Sequence, residues 1–153
     1  MSLEKAKEYL KKYHLEENII LFEESSATVE LAAKALHCKE EEIAKTLSFD
    51  VNNHPIVIVV AGDKKIDNAK YKEEFHTKAK MLAKEEVEEI IGHAVGGVCP
   101  FGVKKNVKVY LDVSLKEHKV VYPACGAYNS AIRLEVEQLE KIVSYEKWVD
   151  VCK

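Results

Sequence analysis

The chain has 153 residues, of which 47% are hydrophobic and 32% are charged, and its formal net charge at pH 7 is -3. These values predict one globular domain, residues 1–153, that buries a core without metal or disulfide cross-links. The acidic balance argues against a broad phosphate-binding surface of the kind that dominates duplex recognition. No apolar run approaches the roughly 20 residues of a membrane helix, and the first residues hold no signal-peptide core, so we expect a cytoplasmic protein without membrane contact.

The cysteines and histidines do not indicate a metal site. Cys38, Cys99, Cys125 and Cys152 lie far apart without a C-x-x-C pair, and the histidines show no ligand spacing. Reduced thiols are the expectation for such a pattern, and neither a metal ion nor another cofactor is expected.

The first half of the chain predicts alternating helices and strands. Apolar residues recur at helical spacing at the start, and Ser25, Ser26 and Thr28 offer N-cap hydroxyls to a later helix. The polar run Val51-Asn52-Asn53-His54 lies between two apolar runs, which predicts a β-hairpin. The predicted helices cover residues 2–15, 29–36, 68–75 and 84–91, and the predicted strands cover 18–22, 44–49 and 55–60, with an extended piece at 79–82.

The second half predicts mainly strands, over residues 107–113, 119–124 and 130–136, then a short helix at 137–142 and a last strand around Trp148. Regular alternation of strand and helix is missing, and hairpin connections dominate the pattern. We therefore predict an α+β fold with a curved, mostly antiparallel sheet flanked by helices.

One segment has a composition that demands a special backbone. Gly92–Gly102 contains four of the six glycines of the chain. Clustered glycines allow positive φ and close approach to a ligand, and successive N–H groups in such a loop can polarise a carbonyl or bind an oxyanion. A tight connection without function is the alternative, and the phosphate-binding and dinucleotide-binding glycine patterns are both missing.

Lys45 is the second candidate, because its ammonium group lies in an apolar strand at the edge of the predicted core. A lysine that extends along the surface to water would explain the same position.

Three motifs in order give a more specific indication. They are Ile43-Ala44-Lys45-Thr46-Leu47-Ser48-Phe49, Val60-Ala61-Gly62-Asp63-Lys64-Lys65-Ile66-Asp67 and Gly92-His93-Ala94-Val95-Gly96-Gly97-Val98-Cys99-Pro100-Phe101-Gly102. Together they resemble the YbaK/prolyl-tRNA-synthetase-associated editing family, from about residue 24 to residue 139. The resemblance implies a barrel-like mixed sheet and a deacylase that hydrolyses the ester between a mischarged amino acid and the terminal adenosine of tRNA.

The resemblance also implies roles for individual residues. Lys45 would hold the 3′-terminal phosphate or ribose of the tRNA. Gly96 and Pro100 match a G-x-x-x-P loop whose amides would fix the ester carbonyl, and Gly97 would keep that loop open to substrate. Gly126 would shape the pocket wall, although the segment Ala124-Cys125-Gly126-Ala127-Tyr128 departs from the family pattern and leaves specificity open.

The remaining candidates lie inside the glycine-rich segment. Val98 and Cys99 would contact the substrate, with Cys99 either filling the pocket or packing inertly. A covalent alternative makes Cys99 a nucleophile and His93 its base. His93 could instead be a structural, hydrogen-bonded histidine that borders the binding site.

The sequence therefore predicts a trans-acting aminoacyl-tRNA deacylase that uses water as its nucleophile. Its partner would be the 3′ acceptor end of aminoacyl-tRNA, with tRNA for proline carrying alanine, cysteine or another small amino acid as the implied substrate. One alternative is a catalytically silent module that binds the tRNA 3′ end or an aminoacylated ligand, and another is a thiol hydrolase built on Cys99. Whether the protein is a monomer or a homodimer stays open.

Overall fold

A computed structural model describes residues 2–153, and these residues form five α-helices and eight β-strands. The helices are α1 (Ser2–Lys11), α2 (Val29–Leu36), α3 (Asn68–Phe75), α4 (Lys84–Ile91) and α5 (Val136–Ile142). The strands are β1 (Ile20–Leu21), β2 (Ile43–Val51), β3 (His54–Ala61), β4 (Lys108–Asp112), β5 (Val120–Pro123), β6 (Ser130–Ala131), β7 (Leu134–Glu135) and β8 (Trp148–Val149). Over this described range, no helix combines the length and the hydropathy that crossing a membrane requires.

Six strands form one mixed sheet in the order β7-β5-β2-β3-β4-β8, and β1 pairs with β6 in a small second sheet. The predicted α+β class, with a curved mixed sheet flanked by helices, is confirmed. The expected dominance of hairpins needs correction, because β2–β5, β3–β4 and β4–β8 are parallel pairs. Parallel neighbours need a crossover, and the long connection from β3 to β4 contains α3, α4 and the glycine-rich segment.

The predicted hairpin between β2 and β3 is present and pairs Ala44 with Ala61 at one end and Val51 with His54 at the other. Asn52 and Asn53 form its turn with φ values of 49° and 70°. Positive φ at both central positions is the geometry of a type I′ turn, which matches the twist of the flanking strands and which asparagine tolerates well.

The central strand β3 is buried on both faces, which explains its uninterrupted apolar sequence. Val57 and Val59 belong to the larger core, which also contains Ala6 and Leu10 of α1. Ile58 and Val60 belong to a second core on the other face. Because side chains alternate along the paired strand β2, its successive residues also point to opposite faces.

Candidate active site

A cavity of about 400 Å³ lies along the outer edge of β2. Its wall is formed by β2, the start of α2, the start of α4, the glycine-rich segment and the segment from β5 to β6. Lys45 of β2 and Gly96 and Val98 of the glycine-rich segment all lie in this wall. Two candidates that are far apart in the sequence therefore meet at one cavity.

The cavity is present because the outer edge of β2 is paired only at its two ends. Ile43 and Ala44 pair with β5, and further along the strand the Leu82 N–H donates to the Ser48 carbonyl and the Asp50 N–H donates to the Lys80 carbonyl. β5 and the 80–82 segment thus border the opening from both sides. Since the backbone groups of Ser48 and Asp50 point outward, the alternation along β2 directs those of Thr46 towards the cavity.

Lys45 is half-buried, and its ammonium group donates a hydrogen bond of 2.5 Å to the Lys64 carbonyl. The turn that carries this carbonyl is fixed by Gly62, where a Cβ atom would lie 2.1 Å from the Glu40 carbonyl oxygen. Burial lowers the pKa of Lys45, while Cys152 and Asp63 oppose this shift. The second sequence motif therefore supplies the backbone that holds the lysine of the first motif in place.

Thr46 is a cavity residue that the sequence prediction missed as a site residue. Its Oγ1 atom is buried and has no hydrogen-bond partner among residues 2–153, although the residue lies in the cavity wall. A buried hydroxyl without a partner costs free energy, and a ligand that bonds to it would recover that cost. Lys45 pairs with Val60 and Thr46 with Val59, so their side chains leave β2 on opposite faces, and both residues border the cavity along the edge of the strand. The sequence signal for Thr46 is its position beside Lys45 in the first motif.

Gly96 occupies a tight turn at the cavity wall. The Gly97 N–H donates to the Ala94 carbonyl at 2.9 Å, and Gly96 has a φ of 90°. A positive φ at the third residue of such a turn is characteristic of type II and favours glycine. A Cβ atom at Gly96 would also lie 3.0 Å from the Cβ of Ala27, so the glycine allows the turn to approach the start of α2 closely.

The structure corrects the prediction for Gly97, and it places Gly126 behind the cavity wall. A Cβ atom on Gly97 would lie 2.4 Å from the Ala127 nitrogen, so this glycine serves contact between two loops and does not keep space free for substrate. A Cβ atom on Gly126 would lie 2.3 Å from the Ser2 carbonyl oxygen, and the Gly126 N–H donates to the Gly97 carbonyl. Both residues pack behind the wall and position it indirectly.

His93, Cys99 and Pro100 are buried and do not belong to the cavity wall, which contradicts direct substrate contact by these residues. The His93 Nε2–H group points to the Phe101 carbonyl at 2.5 Å, and Nδ1 accepts a hydrogen bond of 2.8 Å from the Ser2 hydroxyl. Burial lowers the pKa of His93, which keeps the ring neutral.

Cys99 does not have the environment of a nucleophile. Its Sγ atom lies 3.5 Å from His93 Nε2, but that nitrogen already donates to a carbonyl and cannot accept the thiol proton. Burial raises the pKa of Cys99 to about 12, and its side chain is 0% exposed. Since the thiolate is the reactive form, the thiol-hydrolase alternative contradicts the structure.

The chemistry of the wall favours an anionic or ester-bearing ligand. Lys45 and Lys84 line the cavity, with the Lys45 ammonium bonded to the Lys64 carbonyl, and Thr46 and Ser130 carry hydroxyl groups, while the lining residues include no carboxylate and no imidazole. Ser130 itself is engaged with the backbone, because its Oγ atom accepts from the Cys125 and Ala127 N–H groups. The wall can therefore hold and orient a substrate, whereas a protein general base would have to come from elsewhere.

Residues 23–142 match the model of the aminoacyl-tRNA editing domain, and the chain belongs to this family. The predicted family is confirmed. Over its whole length the chain is 47% identical to the uncharacterized protein YwhH of Bacillus subtilis, of which it covers 98%. It is also similar to EbsC of Enterococcus faecalis, a protein described as a proposed Cys-tRNA(Pro)/Cys-tRNA(Cys) deacylase. The two are 28% identical over 76% of this chain and 72% of EbsC.

Part of a synthetase and two solved structures are also similar to the chain. The proline–tRNA ligase of Halalkalibacterium halodurans is 35% identical over 67% of this chain, but the match covers only 18% of the ligase. The crystal structure of hypothetical protein APE2540 has a TM-score of 0.86 at 28% identity and covers 97% of this chain and 99% of that one. A protein proposed as a trans-editing enzyme for prolyl tRNA synthetase has a TM-score of 0.88 at 24% identity, over 99% and 97% of the two chains, and supports the fold.

Proposed function

We propose that this protein is a trans-acting deacylase that hydrolyses the ester of mischarged tRNA. The observation that carries the proposal is the position of Lys45 and the Gly96 turn in the wall of one cavity. Membership of the editing-domain family supports the same activity. The proposal treats residues 1–153 as one editing domain that works in the cytoplasm, where charged tRNA is used.

In the proposed reaction, the 3′ end of the tRNA enters the cavity beside β2. The ammonium group of Lys45 exchanges its bond to the Lys64 carbonyl for a phosphate or ribose oxygen, which suits a compact point charge. The wall at Gly96 and Val98 holds the ester carbonyl, and the Thr46 hydroxyl offers a further hydrogen bond.

Water then adds to the ester carbonyl carbon, and the bond between that carbon and the ribose oxygen breaks. The ribose oxygen takes up a proton, so the products are a free amino acid and an uncharged tRNA. Because the cavity wall has no carboxylate or imidazole, we infer that the neighbouring ribose hydroxyl of the substrate orients the water.

The cavity volume supports a small acyl group as the substrate. About 400 Å³ lies at the lower end of the range for ligand sites, which leaves little room once a ribose has entered. We therefore propose alanine, cysteine or another small amino acid on tRNA for proline. The names of the relatives, a proposed cysteinyl-tRNA deacylase and a proline–tRNA ligase, support this choice.

The second candidate function is a silent module that binds the tRNA 3′ end without turnover. One observation favours it, namely that the residues lining the cavity include no carboxylate and no imidazole that could act as a general base. A single set of variants separates the two functions.

The test is a deacylation screen of purified protein against tRNAs that carry different amino acids, with the variants Lys45→Ala and Lys64→Ala. We expect Lys45→Ala to lower kcat/KM for the preferred substrate about 100-fold or more. Lys64→Ala is the matched control, because the acceptor for Lys45 is a backbone carbonyl that this change leaves in place. We expect it to retain activity within about threefold.

Three outcomes of the screen decide between the alternatives. Turnover by the wild type that is lost in Lys45→Ala, while tRNA binding is still measurable, supports the deacylase. Tight binding of tRNA without turnover on any substrate supports the silent module. Equal activity of Lys45→Ala and the wild type would show that the proposed site is wrong.

A further inference from the structure

Tyr128 is an exposed aromatic residue beside the cavity, and neither the sequence motifs nor the proposed reaction gives it a role. Its side chain is 56% exposed. Its Cβ atom lies 3.3 Å from the position that a Cβ of Gly96 would occupy, and Gly96 is part of the cavity wall. The tyrosine therefore stands immediately outside the turn that we propose to hold the ester carbonyl.

Hydrogen bonds hold the backbone at this tyrosine and at the residue after it. The Ser26 N–H donates to the Tyr128 carbonyl at 2.7 Å, and the Ser26 hydroxyl donates to the same oxygen at 3.1 Å. The next residue, Asn129, accepts a hydrogen bond from the Phe22 N–H and donates its side-chain amide to the Phe22 carbonyl. An aromatic ring on an anchored backbone loses little conformational entropy when it binds a flat partner.

Two other exposed apolar residues are connected to the same loops. Val95 is 49% exposed, precedes Gly96 in its turn and lines the cavity. Leu21 is 58% exposed and pairs with Ser130, two residues beyond Tyr128. These three residues, Leu21, Val95 and Tyr128, are called the apolar rim below.

The charges near the apolar rim indicate which part of an RNA end would lie there. Glu23 and Glu24 are exposed and lie within the 22–26 segment that binds the Tyr128 loop, so a phosphate would be repelled at this side. The cationic residues of the cavity wall are instead Lys45 on β2 and Lys84 at the start of α4. A neutral, flat group therefore fits the rim, and a phosphate fits the lysines.

From these observations we propose that Tyr128 forms a stacking subsite for the terminal nucleobase of the RNA whose ester end enters the cavity. This inference rests on the proposed function, since it uses the same RNA end. Stacking of one base on an aromatic side chain strengthens binding and tolerates different bases. Tyr128 acts here in substrate binding and takes no part in the hydrolysis.

The test measures binding of uncharged acceptor-stem RNA hairpins, so it does not depend on turnover. One hairpin ends in CCA, and the other is identical except that the terminal nucleotide lacks its base. We expect the wild type to bind the complete hairpin about tenfold more tightly than the abasic one. Tyr128→Ala should abolish this difference and leave the affinity for the abasic hairpin unchanged, whereas Tyr128→Phe should preserve it.

Tyr13→Ala provides the matched control, because Tyr13 is 41% exposed and its ring lies 5.8 Å from that of Tyr9 in α1, whereas Tyr128 contacts the Gly96 turn. The inference is overturned if the wild type fails to distinguish the two hairpins or binds neither, or if Tyr128→Ala weakens both equally. A change of oligomeric state in Tyr128→Ala, measured by light scattering, would also overturn it and would assign the rim to a protein contact. If the base preference is found but no mischarged tRNA is deacylated, the proposed function fails and the subsite remains.

Discussion

The two sides of the glycine-rich segment Gly92–Gly102 have opposite roles. One side, with Gly96 and Val98, faces the cavity. The other side, with His93 and Cys99, is buried against Phe101 and the start of α1. The residues with the most reactive side chains thus lie on the packed side, and those with the least reactive side chains lie at the site.

This comparison shows why residue type alone is a poor guide to chemistry here. A cysteine beside a histidine is a familiar nucleophile and base, but hydrogen bonds to a carbonyl and to Ser2 commit this imidazole to packing. Gly96 offers no side chain, yet its positive φ creates the turn at the cavity. Function in this segment therefore depends on backbone geometry more than on side-chain reactivity.

The comparison can be tested most strongly by adding one methyl group on each side. We expect Gly97→Ala to lower the free energy of unfolding by about 3 kcal/mol, since the new Cβ would lie 2.4 Å from backbone atoms of the neighbouring loop. Gly96→Ala should cost only about 1 kcal/mol, from its positive φ and the Ala27 contact, but should lower kcat/KM more. Urea unfolding and kinetics of both variants check this, and an equal loss of stability would contradict it.

Variants of Thr46 extend the comparison, because its hydroxyl has no hydrogen-bond partner among the described residues and the residue lies in the cavity wall. Thr46→Val removes the buried hydroxyl that has no partner among the described residues, so we expect the free energy of unfolding to rise by about 1 kcal/mol. We expect kcat/KM for the preferred aminoacyl-tRNA substrate to fall about tenfold in the same variant. Thr46→Ser keeps the hydroxyl and is the control. A Thr46→Val protein that is more stable and fully active would remove Thr46 from the site.

The smallest effect is expected at Cys99, on the packed side. Cys99→Ala should retain kcat/KM within about twofold, because the thiol lies outside the cavity wall. Iodoacetamide should not label Cys99 in the folded protein at pH 8, since burial holds its pKa at about 12 and the thiolate forms only as the pH rises towards that value. Mass spectrometry of labelled peptides should find Cys38, which is partly exposed, modified first. Rapid labelling of Cys99 with loss of activity would restore the thiol mechanism.

Much of the local structure followed from the sequence. The helices at 68–75 and 84–91 have the predicted bounds, and the Asn52-Asn53 turn forms the predicted hairpin. The strand predicted at 130–136 is instead divided into β6 and β7, which pair with different partners. Local periodicity cannot reveal such a division, because it depends on which distant strands are available for pairing.

By itself, the sequence determined the family, the fold class and the two segments that meet at the cavity, because short-range patterns and ordered motifs carry that information. Only the tertiary structure decided which residues within those segments face the cavity. It assigned Gly97 and Gly126 to loop contacts, buried His93 and Cys99, and placed Thr46 in the cavity wall. The reason is physical, since the unpaired edge of β2 and the side of the glycine-rich segment that faces it both arise from contacts between residues distant in the chain.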